Sequence, residues 1–152
     1  MADRTNREQF KSIATTGGLW AGLQWLNSRA PYRFSAVFAF DGDMLRNVCL
    51  VDKEDADVKT CGDQPILNSY CTYIHRSGQP FSVENSNLDS RVADHPKRPS
   101  LQSYYGIPLV DPDGKMLGTV CHFDAAAVPV NADAADVLDD LAPLITEMAF
   151  HQ

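Results

Sequence analysis

No stretch of this chain approaches the roughly 20 apolar residues that a membrane-spanning helix needs. The start, MADRTNREQF, is polar and lacks the apolar segment of a secretory signal, so the cytoplasm is the expected location. Basic residues are few, 13 against 20 acidic ones, and the net charge is -7. The densest basic group is Lys97-Arg98, so the clustered cations that grip a nucleic-acid backbone are missing. Neither nucleic acid nor membrane is expected as a partner. There is no Gly-rich phosphate loop, no Ser-His-Asp spacing and no paired-carboxylate constellation. The 4 cysteines, Cys49, Cys61, Cys71 and Cys121, form no C-x-x-C pair. Their spacing gives no zinc signature, and the simplest reading is free, mostly buried thiols.

What is present suits one domain spanning 1–152. A chain of 152 residues with 44% hydrophobic content can bury one core without disulfide or metal staples. Asn6–Ser28 reads as helix with a break at Thr15-Thr16-Gly17-Gly18, after which Leu19, Leu23 and Leu26 recur at helical spacing. In YRFSAVFAF, Tyr32, Phe34, Ala36, Phe38 and Phe40 alternate onto one face of a strand. Asp41-Gly42-Asp43 turns the chain into a partner strand over Met44–Val51. The charged segment Asp52–Thr60 reads as a solvated loop. Pro65–Arg76 reads as helix, with Pro65 at its first turn and Gly78 as its stop.

Phe81–Val83 is a short strand, and Asn85–Ser100 is a long loop with one helical turn near Leu88–Ala93. Two strands flank Pro112-Asp113-Gly114; Ser103, Tyr105, Ile107 and Leu109 share a face of the first, and Leu117, Thr119, Cys121 and Phe123 a face of the second. Asn131–Phe150 is a helix capped by Asn131, with a stripe of Ala134, Leu138, Leu141, Ile145 and Met148 that Pro143 interrupts. Hairpins joined by helices predict an α+β domain with a largely antiparallel sheet.

Several segments then resemble, in order, the GAF domain family. SYC (Ser69–Cys71) falls in the middle helix, GQPFSVEN (Gly78–Asn85) is similar to the family's Gly-x-Pro-strand step, and LDSR (Leu88–Arg91) to its Asp-x-Arg loop. SYYGIPLVDPDGKMLGTVCHFD (Ser103–Asp124) resembles its closing hairpin. The resemblance covers Pro31–Asp124 and implies a sheet of about six strands with terminal helices on one face and a small-molecule pocket on the other. It implies a sensory or regulatory module in signal transduction, whose ligand and any cofactor it does not name. On that basis Phe38, Phe40, Cys71, Ile74, Asp89, Arg91, Tyr105 and Cys121 are expected to line the pocket, with Arg91 suited to an anionic group. An alternative is an interaction module without ligand that dimerises through the terminal helices.

Three chemistries in this family are weighed against the residues. Asn68 is followed by Ser69 where a cyclic-nucleotide motif would want Lys. Cys121-His122 is similar to a bilin attachment pair, but successive strand residues face opposite sides, so the two cannot share a ligand. Free methionine-R-sulfoxide reductases carry two cysteines about ten residues apart, as Cys61 and Cys71 are, and attack with a third in the long loop. Here Ser86–Ser100 holds no cysteine and has His95 instead, so Cys61 and Cys71 remain weak redox candidates and catalysis is not expected. A Cys61–Cys71 disulfide would need Cα atoms within about 7 Å. His75 and His95 would need Asp89 or Asp94 as co-ligands for a metal; surface positions are the simpler expectation, and no metal is expected.

Overall fold

The computed structural model describes residues 5–150. Thr5 starts helix α1 (Asn6–Ser28) by accepting a hydrogen bond from the Glu8 amide, which satisfies one of the free donors of the first turn. At Gly18 the backbone leaves helical geometry, with φ 87°, and kinks the helix. A side chain would strain that conformation, which is why the break falls on glycine.

Three elements follow in one half of the sheet: β1 (Phe34–Asp41), β2 (Met44–Asp52) and, at the edge, the short β3 (Gln64–Pro65). A 3-10 turn (Ile66–Asn68) leads into α2 (Cys71–Ser77), which Gly78 ends in left-handed geometry at φ 70°. Then come β4 (Phe81–Val83), two 3-10 turns (Ser86–Leu88 and Ser90–Val92), β5 (Ser103–Val110), β6 (Met116–Asp124) and α3 (Ala132–Phe150). The six strands pair antiparallel in the order β3-β2-β1-β6-β5-β4. The helix expected over Pro65–Arg76 is shorter. Ser69 is extended, and its hydroxyl accepts from the Cys71 amide at the start of α2. The Asn131 carboxamide accepts from the Ala134 amide at 2.9 Å, and α3 runs on through Pro143.

Alternation along the strands divides the interior in two. Val37, Val51, Ile107, Leu109 and Val120 face α1 and α3, where Leu138, Leu141 and Ile145 are fully buried. The apolar stripe of α3 is therefore covered within the chain itself. Ala36, Phe38, Leu45, Leu50, Tyr104 and Cys121 face the opposite side, under α2. On β2 the parity changes midway. Val37 pairs with Cys49 but Phe38 with Asn47, so Val48 is an extra residue. That bulge lets Leu45 and Leu50 point to the same side.

β1 and β6 approach closely at Gly118. A Cβ built there would lie 1.8 Å from the Phe38 carbonyl oxygen, so no other residue fits. Tyr32, expected on the Phe38 face, instead joins Ala30 and Ala134 beneath the helices, because it precedes the paired strand.

Candidate functional site

Antiparallel pairing places three cross-strand rows on the sheet face away from α1 and α3. Phe34, Phe123 and Tyr104 form one row; Ala36, Cys121 and Gly106 the next; Phe38, Thr119 and Pro108 the third. The middle row is small, and the bulky rows stand on either side of it. A cleft of about 460 Å³ opens on this face, within the range of small-molecule sites. Phe34 and Phe123 stack at 5.1 Å, and the cleft wall includes Phe38, Leu50, Tyr104 and Cys121.

Two loops make the rim. Cys61–Gln64 is tied to β2: the Cys61 amide donates to the Asn47 side chain at 2.9 Å, and Asp63 accepts from the Asn47 amide and from Arg46 at 3.1 Å. Opposite them stand Lys97, Ser100 and Leu101. Their loop is clamped by His95. One ring nitrogen accepts from the Lys97 amide at 3.0 Å, which leaves the other, 3.1 Å from the Ser69 carbonyl, as the donor. The ring lies against Tyr70 and Tyr73, and burial lowers its basicity. His95 is thus buried rather than on the surface as expected, because its loop folds back onto the start of α2. His75 is exposed, edge-on to Phe40. Among the described residues, no group of three His, Cys, Asp or Glu side chains could hold a metal ion.

Behind the cleft wall the Cys71 thiol lies 3.2 Å from the Tyr104 hydroxyl and 3.3 Å from that of Thr119. Cys121 is buried in the same cluster, and its thiol donates to the Ala36 carbonyl at 3.8 Å. Burial opposes ionisation of Cys71, but the donors Cys121, Ser69, Thr119 and Tyr104 outweigh it and hold the thiol below its usual range. Burial raises Cys121 well above its own, helped by the Cys71 sulfur. Tyr104 reaches this spot because Gly106 lies beneath its ring; a Cβ there would meet the hydroxyl at 2.4 Å.

Of the residues expected to line a pocket, Phe38 and Cys121 line the cleft, while Cys71 and Ile74 are fully buried behind it. Phe40 packs on the same side, against His75. Tyr105 points to the helix side, and its neighbour Tyr104 takes the wall. The expected face of β5 was one residue out, because Ser103, Tyr105, Ile107 and Leu109 face the helices or the Ala126 carbonyl. Asp89 and Arg91 lie apart, in a shallow surface depression with Leu88 and Val130. There Arg91 pairs with Asp89 at 2.6 Å, donates to the Ser82 carbonyl and covers the Phe81 ring. Phe34, Phe123, Tyr104 and Lys97 were not expected in the wall. The alternation that placed Phe34 beside Phe38 was the available signal for the first.

The sequence matches the GAF domain family over residues 15–146. The chain belongs to the GAF family. Domains of this family are typically sensory or regulatory. The structure is similar to the GAF domain of an Acinetobacter phosphoenolpyruvate-protein phosphotransferase, with a TM-score of 0.75 and 12% identity, covering 96% of this chain and 90% of that one. It is similar to type II free methionine-R-sulfoxide reductase from Thermoplasma acidophilum, with a TM-score of 0.66 and 14% identity, covering 95% of each chain. It is also similar to the phycocyanobilin-bound GAF domain of a cyanobacterial phytochrome, with a TM-score of 0.69 and 8% identity, covering 99% of this chain and 100% of that one. These likenesses establish the fold. Comparison with curated proteins finds no match. No helix among the described residues is long and apolar enough to cross a membrane.

Proposed function

We propose that this GAF domain is a sensory module whose ligand is a small molecule held in the cleft between β1, β6, β5 and the two rim loops. The observation that carries this reading is the cleft itself: about 460 Å³, with an aromatic wall and a polar rim. The wall suits a flat, apolar body. At the rim, Asp63 is already paired with Arg46. Lys97 is the cation among the lining residues and has no ion-pair partner among the described ones. An acidic group on the ligand would complete it, through the charge-assisted contact an ammonium offers a carboxylate.

Native mass spectrometry of the purified chain tests the reading. A copurifying small molecule is expected, and Leu101→Trp, which fills the cleft from a half-buried rim position, should expel it while leaving the fold intact. A bare-chain mass, joined to a screen of small acids in which none raises the melting temperature, would overturn it.

A further inference from the structure

Lys97 reaches the cleft mouth from the loop that follows the Ser90–Val92 turn, and that loop is tied down at both ends. At its far end the Arg98 guanidinium donates to the Ser86 carbonyl at 3.1 Å and the Ser86 hydroxyl to the Arg98 carbonyl at 3.0 Å. The Tyr70 hydroxyl donates to the Leu101 carbonyl at 3.1 Å. At its near end the tie to α2 is the buried His95 ring. That ring accepts the Lys97 amide on Nδ1 at 3.0 Å and donates from Nε2 to the Ser69 carbonyl at 3.1 Å. Only a neutral imidazole with its proton on Nε2 can make both bonds.

We propose that His95 is a positioning residue that holds Lys97 at the cleft mouth while its ring is neutral and frees it when a proton enters at Nδ1. With that proton in place, two N–H groups face each other across 3.0 Å, and the Lys97 amide loses its acceptor. The bond to Ser69 survives, because Nε2 donates in both states. The break is therefore confined to the Lys97 side, and the ties through Arg98 and Tyr70 contain no histidine. The surroundings set where the proton enters. Tyr70 and Tyr73, at the start of α2, cover the ring with centroids 4.7 and 5.6 Å away. Arg76 in the last turn of α2 and Lys97 on the loop both oppose a positive imidazolium, and burial opposes it more. Asp94, its neighbour in the chain, is exposed, and no ion pair among the described residues involves His95. Release thus falls below the ordinary histidine value of 6.5. The consequence for binding rests on the sensory reading of the cleft: an acidic ligand is gripped by Lys97 at neutral pH and loosened by acid.

The test needs no cleft ligand, so it succeeds or fails apart from the sensory reading. The full chain, labelled with nitrogen-15, is titrated by NMR from about pH 7.5 to about pH 5, the range in which histidines change charge. The ring nitrogens of His95 should show the Nε2 proton at neutral pH and a midpoint below 6.5. With that same midpoint the Lys97 amide should lose protection from hydrogen exchange by at least about fivefold, the worth of one hydrogen bond. The Ser86 amide, which donates to the Gln102 carbonyl at 2.8 Å beyond the loop's far end, should not follow it. His95→Asn keeps an oxygen that can accept from the amide two residues on but cannot take a proton. In that variant the Lys97 protection should not change at the His95 midpoint. The wild-type titration decides even where the variant folds poorly. A neutral ring with its proton on Nδ1, Lys97 protection that ignores the His95 midpoint, or equal losses at Lys97 and Ser86 would overturn the proposal.

Discussion

Acid should unfold this domain through one histidine. His122 is fully buried between β6 and α1, its ring stacked 5.5 Å from that of Tyr32. The Asn27 amide donates to Ser35 Oγ at 2.8 Å, and Ser35 Oγ in turn lies 2.6 Å from His122 Nδ1. Among the described residues the other ring nitrogen, Nε2, has no hydrogen-bond partner, as Tyr32 Oη has none. A charged imidazolium would bury a second N–H, at Nε2, with no acceptor to receive it. Burial, with the Lys53 charge second, accordingly lowers its pKa from 6.5 to about 3. The unfolded chain therefore binds a proton between these values and the folded chain does not. This stability is complete above pH 6.5 and is lost as the pH falls towards 3, at about 1.4 kcal/mol per unit. From pH 6.5 to 4.5 the loss is about 2 kcal/mol, a large share of the stability of a typical domain. His95, also held neutral by burial, adds to the same slope. The carboxylates lowered by arginine, Asp52 and Asp89, act below this window. Urea titrations followed by tryptophan fluorescence at pH 7, 5.5 and 4.5 measure the effect. His122→Asn keeps an acceptor for Ser35 but cannot take a proton. It should cost about 2 kcal/mol at pH 7 through lost packing and should flatten most of the pH dependence. Equal slopes in the two proteins would refute the argument.

Other consequences follow from single contacts. Gly118→Ala drives a methyl group into the Phe38 carbonyl oxygen. It should destabilise by at least about 3 kcal/mol, and an unchanged melting temperature would show that β1 and β6 are not so close. Tyr104→Phe removes one hydroxyl from the Cys71 thiol. A loss of about 1 kcal/mol is expected, with slower reaction of Cys71 towards thiol reagents in a pH-rate profile; an unaltered profile would contradict the contact. Arg91→Ala breaks an exposed pair with Asp89 away from the cleft. It should cost about 1 kcal/mol or less and leave cleft binding unchanged in calorimetry; a large loss of affinity would return Arg91 to the site.

How much of this could be read in the sequence depends on which physical signal each feature leaves there. The break at Gly18, the Asn131 cap and the turn at Gly114 are local, and local chemistry names the residue that must be present. The family was legible for a related reason: its motifs are the turns and strand ends that any chain must solve in the same order. The cleft is different, because it depends on strand parity. Period-two alternation gives two faces but does not say which one meets the helices. On β1, Phe34 and Phe38 both lie on the α2 side of the sheet. On β5, Tyr104 and Tyr105 are equally apolar, and only pairing with Phe123 and His122 decides between them. The bulge at Val48 reverses the parity of β2 without any glycine or proline to mark it. His95 was illegible for another reason: its burial comes from a loop folding onto Ser69, a contact 26 residues distant in the chain. The thiol pair combines both difficulties. Cys71 and Cys121 share one buried cluster only because α2 packs on β6. A Cβ at Gly106 would meet the Tyr104 hydroxyl, so a larger residue there should push that hydroxyl off the Cys71 thiol.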